Sequence, residues 1–521
     1  MYCRGVVASR PFARSAMVEA LTTESFDLLV VGGGVTGLGV AVDAASRGLR
    51  VALVERDDFA SGTSSKSSKL IHGGLRYLQQ GDVRLVYEAL HERQRLHRNA
   101  PHLVRVLPFM IPILTKDGVV SRKIARALGS ALWMYDLTGG WRIGRLHRRA
   151  RRAKALSYMP TMNAERLAAA YVYYDAEADD ARLCLSLART AAELGAVVVN
   201  RCAHLGDGRI VVDGRETSTR ADVIVDATGV WNRQVPTRPA KGVHLTVRWE
   251  KVRNRIAVVI PVPKDKRSLF VVPWGPRPDG TFTHTYVGTT DTDYRGPLDD
   301  PQCTRDDVDY VLRALNASVN TDVTIDDVTG SWAGLRPLVV GDESTGATGR
   351  TADLSRRHLV TSSGDGVITV TGGKLTTYRR MAEDTVDAVM DRLGRRARCR
   401  TKRLRLHGHD GRHEREIEQM VRADPSLGEP LVEGLHYRRA DAMYAVRHEM
   451  ATTLDDVLSR RTRALLFDRE ASRRAAPAVA SLIAPVLGWD DARVADEVSA
   501  FVEICEHETV ASGLREDELY A

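Results

Sequence analysis

The first strong hydrophobic segment is a short β-rich run over residues 26–31, which ends at a glycine. A run of this kind is typical of a strand that is buried on both faces of a parallel sheet. The pattern that follows predicts a helix over 40–47 and a second buried strand over 50–54. The chain therefore opens with a strand, a glycine-rich turn, a helix and a strand.

Later hydrophobic segments predict more strands and a change of class towards the end of the chain. Residues 221–229 and 367–370 have the pattern of the first buried strand, and each runs into a glycine-bearing turn. Over 243–292, β-branched residues alternate with turn glycines, which predicts an antiparallel sheet. A helix is predicted over 376–393. From residue 405 the chain is rich in Ala, Arg and Glu, which indicates a separate helical unit.

These elements together predict an α/β protein of mixed α+β character. Its parts are a Rossmann-like dinucleotide-binding domain, an antiparallel-sheet substrate domain and an all-helical C-terminal domain. A length of 521 residues agrees with several domains, because one hydrophobic core rarely serves so long a chain. The predicted boundaries are 1–22 for a flexible N-terminal extension, 23–100 with 180–240 and 355–393 for the dinucleotide-binding domain, 101–179 with 241–354 for the substrate-binding domain, and 394–521 for the helical domain.

Composition narrows the class of protein. Hydrophobic residues make up 43% and charged residues 27% of the chain, which is globular and excludes a mostly disordered or fibrous protein. The six cysteines include no C-x-x-C pair, so neither a zinc site nor a disulfide framework is indicated, and we expect reduced thiols in the cytoplasm. No apolar run is long enough for a membrane-spanning helix, and we expect none.

The net charge of +8 fits three kinds of partner, namely an anionic substrate, a membrane surface or a nucleic acid. Seven Arg and Lys residues and no acid lie within 142–154, and Trp133, Met134, Tyr135 and Trp141 precede them. A solvated surface explains such a run, and contact with an anionic bilayer is the functional alternative. No nucleic-acid recognition fold accompanies the charge, so we expect no nucleic-acid partner.

The sequence Gly32-x-Gly34-x-x-Gly37 has the spacing of a dinucleotide-binding turn. In such a turn the first glycine allows the tight bend, the second lets the backbone approach a pyrophosphate, and the third allows the helix to pack closely on the strand. Glu55 ends the next strand, where a carboxylate accepts hydrogen bonds from ribose hydroxyls. FAD and NAD are bound by the same device, so these residues alone do not separate the two cofactors.

The polar, glycine-bearing segment over 67–78 stands where a nicotinamide dehydrogenase would normally continue with another βα unit. This segment, SSKLIHGGLRYL, resembles the FAD-dependent glycerol-3-phosphate dehydrogenases of the respiratory, quinone-linked kind. The resemblance extends, in the family's order, to 241–244, 288–291, 334–338 and 372–379. The helical tail is also similar to that family, though it has fewer motifs.

This resemblance implies FAD as cofactor and oxidation of sn-glycerol 3-phosphate to dihydroxyacetone phosphate, with hydride transfer to flavin N5. No feature of the sequence argues for a covalent linkage, so we expect the FAD to be bound non-covalently. It further implies that a membrane quinone takes the electrons and that the enzyme is cytoplasmic, bound peripherally to the inner face of the membrane. We also expect a homodimer. The alternatives left open are a glycerol-3-phosphate oxidase that uses oxygen, a flavin-containing RNA-binding or RNA-modifying protein, and a non-catalytic dinucleotide-binding module.

The resemblance also implies residue roles that agree with the needs of the reaction. A phosphate needs fixed cations, and histidine is a better proton acceptor than arginine at neutral pH. We assign Arg356 and Lys374 to the phosphate, and Arg336 with His244 to the C2 hydroxyl and its proton. A core-facing histidine and an interdomain ion pair are the structural alternatives. The predicted site comprises the catalytic residues His244 and Arg336, the substrate-binding residues Arg76, Tyr77, Arg356 and Lys374, and the cofactor-binding residues Gly32, Gly34, Gly37, Glu55, Ser67, Ser68, Leu70, His72, Gly73, Gly229, Gly373, Leu375 and Thr376.

Overall fold

The computed structural model of the chain describes residues 9–75, 82–114, 120–121, 125–265, 267–340, 358–364 and 366–514. Its helices are α1 (Arg14–Thr23), α2 (Val35–Ser46), α3 (Val83–Asn99), α4 (Ala125–Leu137), α5 (Arg152–Tyr158), α6 (Asp180–Glu193), α7 (Trp249–Val252), α8 (Arg305–Asn316), α9 (Tyr378–Arg392), α10 (Arg412–Ala423), α11 (Arg439–His448), α12 (Ala464–Phe467), α13 (Arg469–Leu487) and α14 (Asp491–Ser512). Its strands are β1 (Ser25–Val31), β2 (Val51–Val54), β3 (Leu70–Ile71), β4 (Val104–Leu114), β5 (Val120–Ser121), β6 (Arg148–Arg151), β7 (Leu167–Ala178), β8 (Val197–Val199), β9 (Cys202–Gly206), β10 (Arg209–Val212), β11 (Arg215–Ser218), β12 (Arg220–Asp226), β13 (Thr237–Arg248), β14 (Ala257–Pro261), β15 (Ser268–Pro276), β16 (Phe282–Gly288), β17 (Thr292–Asp293), β18 (Val328–Val339), β19 (His358–Ser362) and β20 (Val367–Gly372).

Among the described strands, six form one sheet in the order β19-β20-β12-β1-β2-β8. Neighbours from β20 to β8 run parallel, and β19 runs antiparallel at the edge. Leu28, Leu29 and Val30 of β1 are fully buried, as the continuous apolar run predicts. α2 packs on this sheet and against α6 and α9. The crossover of strand order places β1 between β12 and β2, so that the glycine turn lies near the middle of the sheet.

The N-terminal segment departs from its prediction. We predict a flexible extension over 1–22, and this is wrong for the part that forms α1. Met17 and Leu21 are buried, and the helix contacts β8. Arg14 also forms an ion pair of 2.8 Å with Asp213. Met17, Ala20 and Leu21 are spaced so that they share one apolar face of the helix, and this spacing is the sequence signal for α1.

A second, mostly antiparallel sheet contains eleven of the described strands, in the order β17-β13-β16-β15-β14-β4-β7-β3, with β18 beside β13, β5 beside β4 and β6 beside β7. Strands β13 and β18 pair along most of their length, which places His244 opposite Trp332 and Ala240 opposite Arg336. Apolar residues of these strands and of α8 form one buried cluster. This sheet therefore carries both predicted catalytic residues on adjacent strands.

The tail from α10 to α14 is helical and packs on the rest of the protein through buried charges. Asp58, in the loop after β2, accepts hydrogen bonds from Arg461 at 2.5 and 2.8 Å and from Arg460 at 2.6 Å. In the described part of the chain, no helix has both the length and the apolar character needed to cross a bilayer. The predicted fold class is confirmed, whereas the exact domain boundaries stay predictions.

Candidate active site

Glycines in the turn between β1 and α2, and in the first turn of α2, leave no room for a Cβ. Gly32 has a φ of +113°, and a Cβ there would lie 2.7 Å from the carbonyl oxygen of Ala227. At Gly37, in the first turn of α2, a Cβ would lie 2.0 Å from the carbonyl oxygen of Gly32. Gly34 immediately precedes α2 in an extended conformation. The turn thus brings the N-terminus of α2 close to the ends of β1 and β12, as an anion-binding helix terminus requires.

Glu55 follows β2 and holds this turn in place. One of its carboxylate oxygens accepts the Gly33 N–H at 2.6 Å, and the other accepts the Asp57 N–H at 2.9 Å. Burial raises the pKa of Glu55, and these two hydrogen bonds oppose the shift. A carboxylate oxygen accepts more than one hydrogen bond, so the side chain can also receive the ribose hydroxyls that we predict for it.

A cavity of about 340 Å³ runs from the glycine turn past the carboxyl ends of the parallel strands. Open α/β sheets bind nucleotides at this edge. The glycine turn, the helix N-terminus and the acid at the strand end are all present there, so the residues fit a dinucleotide. Among the predicted site residues, the cavity is lined by Gly32, Gly34, Glu55, Gly229, Gly373, Lys374 and Leu375.

The far end of the cavity lies where β20 leads into α9. Gly373 has a φ of +76°, and a Cβ there would lie 2.4 Å from Met381 Sδ. Leu375–Thr377 form a 3₁₀ turn before α9. Thr376 ties this turn to the segment before α3, because its Oγ1 accepts the His72 N–H at 3.1 Å and lies 3.3 Å from the His72 carbonyl oxygen.

The segment from Ser67 to Gly73 adjoins the cavity but supplies none of its described lining. Ser67 donates its N–H and its hydroxyl to Asp180, at 3.0 and 2.6 Å. Leu70 is buried in β3, and the Gly73 N–H donates to the Tyr135 hydroxyl at 3.1 Å. The contacts position this segment, and its direct contact with a cofactor stays a prediction.

His244 is buried in β13, with its ring stacked on Trp332 at a centroid distance of 4.7 Å. Its Nε2 lies 2.9 Å from Ser68 Oγ, and its Nδ1 has no hydrogen-bond partner in the described part of the chain. Burial lowers the pKa of His244 well below the usual value, and the charges of Lys69 and Arg336 lower it further. The imidazole is therefore neutral at pH 7 and has capacity for one proton. Its packing is that of a core histidine, but an unpartnered ring nitrogen is not explained by packing alone.

Arg336, on β18, directs its guanidinium to the turn that follows Gly288. One nitrogen donates to Thr289 Oγ1 at 2.9 Å, and the other donates to the Thr290 carbonyl oxygen at 3.3 Å. Gly288 is the residue that pairs with His244 in the sheet. The two predicted catalytic residues therefore adjoin the same turn from neighbouring strands.

The strand that carries Arg336 also reaches the nucleotide cavity. Pro337, the next residue, lines the cavity together with Lys374. His244, Arg336 and Lys374 come from distant parts of the sequence and are brought into one region by the contact of β18 with β13 and β20. The predicted substrate residues Arg76, Tyr77 and Arg356 lie outside the described residues.

Three residues with clear roles at the site are absent from the sequence-based prediction. Ser64 Oγ accepts the Val35 N–H at 3.0 Å and so caps the helix that follows the glycine turn. Thr289 holds Arg336, and Asp180 holds Ser67. Ser64 and Thr289 belong to polar, turn-rich segments that could have suggested them. Asp180 has no such signal, because its partners are remote in sequence.

Comparison with known proteins places these features in a family. Residues 27–379 match the family described as FAD dependent oxidoreductase, and residues 405–494 match the C-terminal domain of alpha-glycerophosphate oxidase. The chain is 38% identical to glycerol-3-phosphate dehydrogenase 2 of Mycobacterium tuberculosis, over 97% of this chain and 92% of that protein. It is 32% identical to the mitochondrial glycerol-3-phosphate dehydrogenase SDP6 of Arabidopsis thaliana, over 96% and 89%.

A solved structure gives the same result for the fold. The X-ray structure of the glycerol-3-phosphate dehydrogenase from Bacillus halodurans complexed with FAD has a TM-score of 0.72 with this chain. The two are 28% identical, and the match covers 98% of each chain. The resemblance includes the helical tail, which sequence motifs alone supported less strongly.

Proposed function

Because the chain belongs to the FAD-dependent oxidoreductases and, within them, to the glycerol-3-phosphate dehydrogenases, we propose that it oxidises sn-glycerol 3-phosphate to dihydroxyacetone phosphate. Three predictions from the sequence are thereby confirmed: the family, the enzyme class of dehydrogenase, and FAD as the cofactor. The observation that carries the proposal is the course of β18, which brings Arg336 to the turn beside His244 and brings Pro337 into the nucleotide cavity.

The cavity residues provide what FAD needs. The N-terminus of α2 and the glycine turn suit its pyrophosphate, and Glu55 suits its ribose. The turn at Gly373 and the start of α9 suit the flavin end, where a helix N-terminus favours negative charge. When bound, FAD supplies the hydride acceptor for the oxidation.

The remaining steps are assigned to side chains of the chain itself. Oxidation of the C2 alcohol releases a hydride from carbon and a proton from oxygen. His244 is neutral and takes that proton at its ring nitrogen. Arg336 orients the hydroxyl, because its hydrogen bonds to the 289–291 turn hold the guanidinium group in one position. Lys374 binds the phosphate, a role that we also assign to Arg356, and Arg76 with Tyr77 completes the substrate site.

The electron acceptor is proposed to be a membrane quinone. This is supported by an exposed surface that we call the aromatic–basic face, consisting of Trp133, Met134, Leu137, Trp141, Arg145, Arg148 and Arg149. The four apolar side chains are 47–74% exposed, and the first three lie on one side of α4. The arginines follow directly in the chain and are exposed. Apolar side chains next to cations suit an anionic bilayer surface, so we propose peripheral binding to the inner face of the membrane.

The experiment that tests the activity is anaerobic addition of glycerol 3-phosphate to the purified flavoprotein. Bleaching of the flavin absorbance, with dihydroxyacetone phosphate as product, is the expected result. An unchanged spectrum would contradict the proposal and leave the non-catalytic dinucleotide-binding module. Subsequent reoxidation by a quinone analogue should be faster than by oxygen. If oxygen is faster and peroxide forms in equal amount, the protein is an oxidase. The homodimer stays a prediction that sedimentation velocity tests.

A further inference from the structure

A buried cluster of three charges lies beside the predicted proton acceptor and joins two parts of the chain. Asp180, Lys69 and Arg463 are 0%, 3% and 1% exposed. Asp180 Oδ1 accepts a hydrogen bond from Lys69 Nζ at 3.1 Å and from Arg463 at 2.9 Å. Arg463 belongs to the helical tail, whereas Asp180 begins α6 and Lys69 precedes β3. The helical tail thus contributes a cation to the interior of the oxidoreductase part.

All three members of the cluster hold the segment Ser65–Ser68. Arg463 and Lys69 both donate to the Ser65 carbonyl oxygen, the latter at 3.1 Å. The other oxygen of Asp180 accepts both the N–H and the hydroxyl of Ser67. Two residues of this segment, Ser65 and Ser67, are therefore fixed by buried, charge-assisted hydrogen bonds, which are stronger than neutral ones.

The same segment ends at the predicted base. Ser68 Oγ lies 2.9 Å from His244 Nε2, and the Ser68 carbonyl oxygen accepts the Tyr286 hydroxyl at 2.9 Å. Trp332, on which His244 is stacked, donates its indole N–H to the Ser67 carbonyl oxygen at 3.1 Å. The position of the imidazole and the position of this segment are thus coupled by direct contacts.

We propose that Arg463, through Asp180 and Ser65–Ser68, is a positioning residue for His244, and that the helical tail is thereby part of the catalytic unit. Ser68 Oγ accepts the Nε2–H of His244, which leaves the lone pair on Nδ1 for the substrate proton. This inference rests on the proposed function of His244. Arg463 itself touches neither substrate nor cofactor in this scheme. A small displacement of the base lowers the rate of the chemical step and leaves ligand binding unaffected.

A double-mutant cycle in the FAD-loaded enzyme tests the proposal. Ser68→Ala and Arg463→Met are each expected to lower the anaerobic rate of flavin reduction by about ten- to a hundredfold. If Arg463 acts through Ser68, Arg463→Met has no further effect in the Ser68→Ala background. The Kd of dihydroxyacetone phosphate, measured by perturbation of the flavin spectrum, should stay within about twofold in every variant. Arg463→Lys, which keeps the cation but has fewer donors, should restore part of the rate.

Arg182→Met is the matched control. Arg182 also lies on α6 and joins it to the helical tail, through a 2.7 Å ion pair with Glu449, and within the described residues none of its side-chain hydrogen bonds goes to Ser65–Ser68. This variant should lower Tm and leave the reduction rate unchanged. Equal rate losses in both arginine variants, or additive effects in the cycle, would overturn the proposal.

Two further outcomes are distinguishable. If Arg463→Met does not fold or does not retain FAD, the cycle is repeated with Arg463→Lys, whose rate loss must again vanish in the Ser68→Ala background. If the wild-type flavin is not reduced by glycerol 3-phosphate at all, the proposed function fails. Reduction in the wild type without coupling between positions 68 and 463 contradicts only the positioning role.

Discussion

Glu55 accepts the backbone N–H of Gly33 at 2.6 Å, which joins the end of the second parallel strand to the turn after the first. The contact is close because Gly33 has no side chain: a Cβ there would lie 2.8 Å from the Cβ of Glu55. The carboxylate is therefore a support of the glycine turn as well as the predicted partner of the ribose. Loss of this carboxylate should therefore weaken cofactor binding in two ways, through the glycine turn and through the ribose.

Glu55→Ala is expected to weaken FAD binding by about ten- to a hundredfold, since two backbone donors and the ribose lose an acceptor at about 1–3 kcal/mol. The absorbance of retained flavin after dialysis measures this loss. Glu55→Gln keeps one acceptor oxygen and should fall between the wild type and the alanine variant. Full retention of FAD in Glu55→Ala would mean that the carboxylate does not contribute to cofactor binding.

Lys374→Ala is expected to raise the KM for glycerol 3-phosphate by about ten- to a hundredfold, because a charge-assisted bond to the phosphate is lost. FAD should remain bound, and kcat should change less than KM. Steady-state kinetics with a quinone analogue supply the measurement. Lys251→Ala, which breaks a partly exposed pair with Asp327, is the control and should leave KM unchanged. An unaltered KM in Lys374→Ala would remove this residue from the phosphate site.

The glycine turn could be predicted from the sequence, whereas the contact of the helical tail with the rest of the protein could not. Gly32, Gly34 and Gly37 lie within six residues and act through local backbone geometry, so their spacing alone indicates the turn. The arrangement of Asp180 with Ser67 and Arg463 depends on tertiary packing between segments up to 283 residues apart. No periodicity or spacing in a single sequence encodes such a contact. The position of His244 at the site is predicted only by the family resemblance.

The neutral state of His244 sets the direction of the pH dependence. Burial and then the cations Lys69 and Arg336 lower its pKa below 6.5, so the neutral, proton-accepting form dominates at pH 7. As pH falls through this lowered pKa, the ring is protonated and kcat/KM should fall, with the acid limb below pH 6.5. The pH profile of anaerobic flavin reduction measures the limb. An acid limb that persists unaltered in the residual activity of His244→Gln would assign the proton to another group.

Glu449 is expected to make the free energy of unfolding depend on pH in the acidic range. Burial alone would raise its pKa, but the Arg182 guanidinium outweighs burial, and the pKa of Glu449 is lowered from 4.5 to about 2. The carboxylate therefore contributes about 3 kcal/mol above pH 4.5, which is lost as the pH falls towards 2. Glu449→Gln should lower Tm at pH 7 and flatten the fall of Tm in acid. Glu429→Gln, which alters an exposed pair with Arg439, is the control; an equal change there would refute the prediction.

The aromatic–basic face is expected to bind anionic vesicles. Trp133 and Leu137 lie one turn apart on α4 and are 54% and 74% exposed, so Trp133→Ser with Leu137→Ser should weaken vesicle binding by about tenfold or more. Co-sedimentation with phosphatidylglycerol-containing vesicles provides the measurement, and binding should also fall with added salt because the arginines are screened. Leu205→Ser, at a side chain that is 46% exposed on β9, is the matched control and should bind as the wild type does. If the double variant binds as tightly as this control, the membrane contact lies elsewhere on the protein.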